Sequence, residues 1–238
     1  MINRKQTLSK HVIRTTLLIA VLAGCDAREK TNNPLTTSYN VIKSQIGKKK
    51  RTNAVNASIR NITRANINAI PRPMVLRIEA IKNGSLGTAA DIGENNGTFT
   101  ITMADGKTIH LKNDILTGTR GQGNDLASLE TSNETVIEGL MAGKTQRIYR
   151  HYDSEGQLQP LRMTCLFHAE TTKTITLVDR KHTVIPVIEN CKSEKREHIE
   201  QKIKNTYMMD VKTNQIWQSI QWISPVSGYF KIDVLKRP

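Results

Sequence analysis

The chain is poor in aromatic residues, has three cysteines and has no long apolar run. Ten of its 238 residues are Trp, Tyr or Phe, so a core must rest on Ile, Leu, Val and Met. No stretch reaches the roughly 20 consecutive apolar residues that cross a bilayer as a helix. No CxxC and no HExxH occurs, and the six histidines are scattered, which argues against the common zinc sites. GxSxG is absent, and with it the nucleophile elbow of the α/β hydrolases. Gly121-Gln122-Gly123 is followed by Asn124-Asp125-Leu126, which matches neither the dinucleotide fingerprint nor the P-loop. No βαβ rhythm is visible. The expectation is a chain with no cofactor, no metal and no catalytic residues.

What is present begins at the N-terminus. Arg4, Lys5, Lys10 and Arg14 precede a short apolar run from Thr15 to Ala23. A basic region, a short apolar region and a small-residue site make a secretory signal peptide. Leu22-Ala23-Gly24-Cys25 also reads as a lipobox, cut before a cysteine whose thiol takes a diacylglycerol. Cys25 is therefore the expected lipidation site. The mature chain then starts there, held at a membrane and facing an oxidising periplasm. Asp26 favours inner-membrane retention under the enteric sorting rule.

Cys165 and Cys191 remain. Both follow alternating apolar segments, and an oxidising compartment favours pairing them. Closing that loop stabilises a fold by roughly 3 kcal/mol on the chain-entropy model. The formal charge is +14, and residues 25–60 hold eight bases against two acids. The run Lys48-Lys49-Lys50-Arg51 beside a lipid anchor suits an anionic membrane surface, or is a solvated stretch of tether. Nucleic acid is excluded as a partner by export.

Residues 1–24 read as the signal peptide, 25–37 as a polar tether and 38–238 as a single β-rich domain. Tyr39, Ile42 and Ile46 fall on one helix face. Thr63 is placed to cap a helical turn that Pro71 and Pro73 stop. From Met74 the period becomes two. Phe99, Ile101 and Met103, then Asp105-Gly106, then Ile109 and Leu111 make a strong hairpin signal. Gly84, Gly87, Gly93 and Gly97 punctuate the segment before it. Further strands are expected at Gln146–Tyr152, Leu161–His168, Thr174–Val178, Thr183–Ile188, Thr206–Asp210, Gln215–Ile223 and Gly228–Leu235, while Lys192–Lys204 fits helix or strand. About ten short antiparallel strands predict an all-β fold, a β-sandwich or an open barrel-like sheet, with short N-terminal helices.

Several odd segments occur in a telling order: TRGQGNDL (Thr119–Leu126), YRHYD (Tyr149–Asp153), Cys165, Glu189-Asn190-Cys191, NTYMMD (Asn205–Asp210) and QSIQWISPVSGYF (Gln218–Phe230). Together with the lipobox, this order resembles the YjbF/GfcB family of bacterial lipoproteins of group 4 capsule clusters. The resemblance spans roughly Thr63 to Lys236. It implies a β-rich, barrel-like fold, no known catalytic activity, an outer-membrane place, and a role in assembling or secreting exopolysaccharide or capsule. Its partners are then polysaccharide export proteins or the polysaccharide itself. The family often has Trp after the Tyr of its NTYW-like motif; here Met208 stands there.

Trp217 and Trp222 lie on opposite faces of an unbroken strand. The face of Ile216, Ile220 and Trp222 is the more apolar and is expected in the core. Trp217, Ser219 and Gln221 then form a polar face suited to stacking and hydrogen-bonding a sugar. The competing reading has Trp217 covered by the tether or a neighbouring strand. Arg120, in the glycine-rich TRGQGNDL loop, is a further candidate contact for an anionic saccharide; otherwise the loop is a structural corner. Asp91, Glu94, Asp105, Asp114, Asp125 and Asp153 are the carboxylates from which a glycosidase pair would be drawn, but most sit where turns favour Asp. A rival class is a lipid or lipoprotein carrier. An apolar pocket lined by Ile, Leu and Met, with no plug, would favour it, whereas a filled interior would favour the assembly role.

Overall fold

A computed structural model describes residues 53–132, 142–153, 155–193 and 201–238. Cys25, Asp26, the tether, the Tyr39/Ile42/Ile46 face and the Lys48–Arg51 run lie outside the described residues.

Residues 53–60 are helical (α1), and α2 follows at Arg64–Ala69. Thr63 caps α2 as expected. Its hydroxyl accepts from Asn66 N while the Asn66 side chain accepts from Thr63 N, a reciprocal capping box. Ile70 ends the helix ahead of Pro71, which supplies no N–H to continue it. Ile67 buries against Val75 and Leu235, and Arg64 Nη1 donates to the Leu235 carbonyl at 2.6 Å, so α2 is fastened to the strands that follow.

Thirteen strands make one antiparallel sheet. They are β1 (Val75–Ala80), β2 (Ser85–Asn95), β3 (Thr98–Met103), β4 (Thr108–Lys112), β5 (Ile115–Arg120), β6 (Leu126–Thr131) and β7 (Ala142–Tyr152), then β8 (Leu158–Ala169), β9 (Lys173–Leu177), β10 (Arg180–Ser193), β11 (Lys202–Asp210), β12 (Ile216–Ser224) and β13 (Gly228–Lys236). The order is β5-β4-β3-β2-β1-β13-β12-β11-β10-β8-β7-β6, with β9 added on β10. The expected all-β, barrel-like sheet with short helices is what forms. β5 and β6 are consecutive in sequence yet stand at the two ends of this order, so the sheet curls until its first and last members meet. At that seam a Cβ on Gly118 would lie 3.5 Å from the Leu126 carbonyl oxygen and 3.2 Å from the His110 ring.

Alternation decides what faces inward. On β1, Leu76 and Ile78 are buried in the main core, while Arg77 turns outward to Asp233, which also accepts from Gln218 at 2.7 Å. The core runs on through Ile101, Ile109, Leu116, Met163, Val187 and Tyr207. Gln221 bridges the interior: its Oε1 accepts from Leu116 N at 2.8 Å and its Nε2 donates to the Asp114 carbonyl at 3.0 Å. The middle of the barrel is thus filled by side chains from facing walls.

Two strands differ from expectation. β2 is an 11-residue strand although glycines interrupt its pattern; it keeps its pairing by shifting register between Asp91 and Gly93, a bulge that bends the strand. On β12 the inward residues include Ser219, Gln221 and Ile223, the face expected to be outside, with Ile216 and Trp222 buried beside them. The ladder to β11 skips Trp217 and the ladder to β13 skips Ile223. Each bulge breaks the strict alternation on which the two-face reading depended.

Candidate functional site

The hairpin turns divide between the two ends of the barrel. The β1–β2, β3–β4, β5–β6 and β12–β13 connections share one end, and α1 reaches it as well. Asn56 of α1 donates to the Gly84 carbonyl at 2.9 Å and accepts from Leu86 N at 3.0 Å. This side chain fastens the helix beside the first residues of β2, beyond the stretch paired with β3. A cavity of about 850 Å³ opens there, lined by Ile78, Ala80, Leu86, Met103 and Phe230 from the strands and by Val55 and Ile59 from α1. Lys82, Asn83, Asp105, Lys107 and Gln122 stand around it on the turns.

The β5–β6 loop, part of the TRGQGNDL segment, closes the seam beside this mouth. Asp125 accepts from Gly121 N, Gln122 N and the Thr119 hydroxyl at 2.8, 2.9 and 2.8 Å. Thr119 Oγ1 in turn accepts from Leu126 N at 3.0 Å, and Arg120 Nη1 donates to the Leu126 carbonyl at 3.2 Å. Side chains replace the backbone ladder that β5 and β6 lack. Gly121 and Gly123 take φ of 81° and 99°, a region that disfavours a Cβ. Asp125→Ala should cost about 1.5–3 kcal/mol, the usual worth of hydrogen bonds to a charged group, in a urea unfolding curve. A loss under about 0.5 kcal/mol, typical of a plain surface site, would show that the loop does not hold the seam.

Deeper inside lies a polar network. Arg147 Nε donates to Glu189 Oε1. Glu189 Oε2 accepts from Asn205 Nδ2 and the Tyr207 hydroxyl, both at 2.8 Å, and Asn205 Oδ1 accepts from Trp222 N at 2.8 Å. Burial pushes the Tyr149 and Tyr207 phenols well above their ordinary range, with the Glu189 charge adding to it. Burial opposes the Arg147 charge, but the Glu189 carboxylate paired with it more than offsets this, and the guanidinium stays protonated. Burial lowers the pKa of His151, so its ring is neutral at pH 7. Trp222 meets the Tyr149 and His151 rings edge-on, each at 5.2 Å between centroids. Cys165 and Cys191 face each other across β8 and β10 and form the expected disulfide. With Glu189 they make a group of donors close enough for a metal, but the two sulfurs are bonded to each other.

Trp217 sits at the opposite end from the mouth. Its Nε1 donates to Asp210 Oδ2 at 3.1 Å, and its ring packs against His182 and the Arg237 guanidinium. Arg237 also clasps Asp114 through two bonds of 2.9 Å, tying the C-terminal residues to the β4–β5 turn. Burial opposes the Asp210 charge, but the N–H groups of Lys212 and Thr213 and the Trp217 indole hold its pKa below the ordinary carboxylate range.

The four candidate glycan contacts are therefore not brought together. Arg120 is at the mouth, Trp217 at the far end, and Ser219 and Gln221 are interior residues bonded to each other at 2.9 Å. Trp217 shares no outward face with them. Of the six carboxylates, Asp91 accepts from Met74 N, Asp105 pairs with Lys107, Asp114 with Arg237, Asp125 holds the seam and Asp153 its own turn.

A family model described as "Group 4 capsule polysaccharide lipoprotein gfcB, YjbF" matches residues 39–235. The chain belongs to the YjbF family. Its fold is that of the solved hypothetical lipoprotein YmcC from Escherichia coli (K12). The two superimpose with a TM-score of 0.64 at 15% identity, over 80% of this chain and 95% of that one. No curated protein matches. Within this YjbF chain, the motifs that carried the resemblance converge on two places. TRGQGNDL makes the seam, and the other segments supply Tyr149, His151, Glu189, Asn205, Tyr207, Gln221 and Trp222 to the interior. The mouth cavity was not visible in sequence, because its lining comes from five separate segments.

Proposed function

We propose that this chain is a membrane-anchored, non-enzymatic lipoprotein that assists assembly or secretion of an exopolysaccharide or capsule. The match to the capsule lipoprotein family over residues 39–235 carries this reading, and the lipobox ending at Cys25 supplies the anchor at the N-terminal side of the matched region. The engagement of five of the six carboxylates in turns, pairs and the seam favours the non-enzymatic reading, since glycoside hydrolysis needs two free carboxyl groups facing a cleft. The chain then acts by contact with export proteins or with the polymer, from the periplasmic side of its membrane. Among the described residues no helix is long and apolar enough to cross a membrane. The lipid on Cys25 is the proposed hold, on the strength of the lipobox.

Deleting the gene should lower surface or released polysaccharide without killing the cell. Complementation with the native gene should restore it, and Cys25→Ser should restore less while losing palmitate labelling. Normal polymer yield and length in the deletion strain, under conditions where the gene is expressed, would overturn the assembly role. Equal palmitate labelling of Cys25→Ser would overturn the anchor.

A further inference from the structure

We propose that the mouth cavity is a binding site for a single acyl chain bearing an anionic head, with the chain against Ile78, Ala80, Met103 and Phe230 and the head at Lys82 and Lys107. The volume of about 850 Å³ falls in the range of about 300–1,000 Å³ usual for small-molecule sites. Its strand-borne lining is apolar apart from Ser85 and Thr88 on β2, and the remaining polar groups come from the turns at the opening. A sugar or a peptide placed against the wall of Ile78, Ala80, Met103 and Phe230 would give up water around hydroxyls or amides without finding partners on those side chains, which is costly. Methylenes give up nothing of that kind and gain from leaving water.

The opening has the complementary chemistry. Val55 and Val226, both in its lining, are 48 and 58% exposed, bare apolar side chains at the barrel end that carries the cavity. Lys107 is ion-paired with Asp105 at 2.8 Å. Both side chains are largely exposed, so that pair is weak and the ammonium is free to turn to a ligand carboxylate or phosphate. Lys82 Nζ is held at the Val226 carbonyl, 2.8 Å away, on the same rim. Gly87 completes the fit. A Cβ added there would meet nothing within 4 Å, so the space beside β2 is open because this residue has no side chain. The site stands independently of the polysaccharide role.

The test uses membrane vesicles from cells expressing the full chain, incubated with a C16 fatty acid carrying a terminal diazirine, irradiated, and mapped by mass spectrometry. Adducts are expected on peptides containing Ile78–Leu86, Met103 and Phe230. Gly87→Leu projects a branched side chain into the open space and should cut those adducts several-fold, with an unchanged melting temperature. Should that variant fold poorly, Lys82→Glu with Lys107→Glu provides the second measurement. It should cut labelling by the acid several-fold and leave labelling by the matching C16 alcohol unaltered. Adducts elsewhere, or labelling indifferent to both variants, would overturn the site. Labelling of the same peptides by a diazirine-bearing apolar peptide but not by the acid would overturn the acyl assignment in favour of a protein partner. Loss of labelling in Gly87→Leu with normal polymer output supports the site while separating it from the assembly role.

Discussion

Glu189→Ala is expected to destabilise the fold by about 3–5 kcal/mol, because it strands Arg147 as an unpaired charge in the interior. Arg147 is 1% exposed, and its Nη2 has no hydrogen-bond partner among the described residues. Removing the carboxylate would also strip the acceptor from the Tyr207 hydroxyl and leave Asn205 Nδ2 with only the longer bond to the Tyr149 hydroxyl. Replacing the pair as Arg147→Met with Glu189→Leu should cost far less than the single change, since apolar side chains of similar volume avoid the desolvation that the ions incur. Urea unfolding of the single and double variants measures both. A Glu189→Ala loss below about 1 kcal/mol, no more than an average substitution, or a double variant no better than the single one, would mean that the buried ion pair does not organise the core.

Trp222→Ala should be nearly as damaging, at about 3–5 kcal/mol, the usual cost of emptying a large aromatic site. The ring is 4% exposed and supplies the edge-on contacts to Tyr149 and His151. Trp217→Ala should cost about 1–2 kcal/mol, for one hydrogen bond to Asp210 and partial stacking on His182 and Arg237. Thermal and urea melts of the two variants side by side check the ranking. Equal losses would mean that the C-terminal clasp around Trp217 is as deep a part of the core as Trp222.

Much of the architecture was legible along the chain. The cap at Thr63, the hairpin around Asp105-Gly106 and the strands β7 to β13 each follow from local rules of period, capping and turn chemistry. The disulfide was legible from cysteine count and compartment. β2 was harder to see, because Gly87 and Gly93 break its pattern and its pairing partners, not its own propensity, keep it extended. The candidate glycan face was misplaced for a related reason. A two-face reading of Gln215–Ile223 holds only without bulges, and β12 has two, one on each ladder.

Local sequence was enough to show that the chain is β-rich and antiparallel, that short helices lie toward its N-terminus, and that its motifs follow the YjbF order. Those properties reside in neighbours a few residues apart, where the backbone period and the turn residues act directly. Long-range packing settled which polar residues turn inward, how the seam closes, and that a cavity is left at one end. Those outcomes rest on partners far apart in the chain, as in the bond from Leu116 N to Gln221, 105 residues away. A glutamine is stable inside a barrel only because that distant N–H and the Asp114 carbonyl meet it there, and no local pattern announces such a meeting.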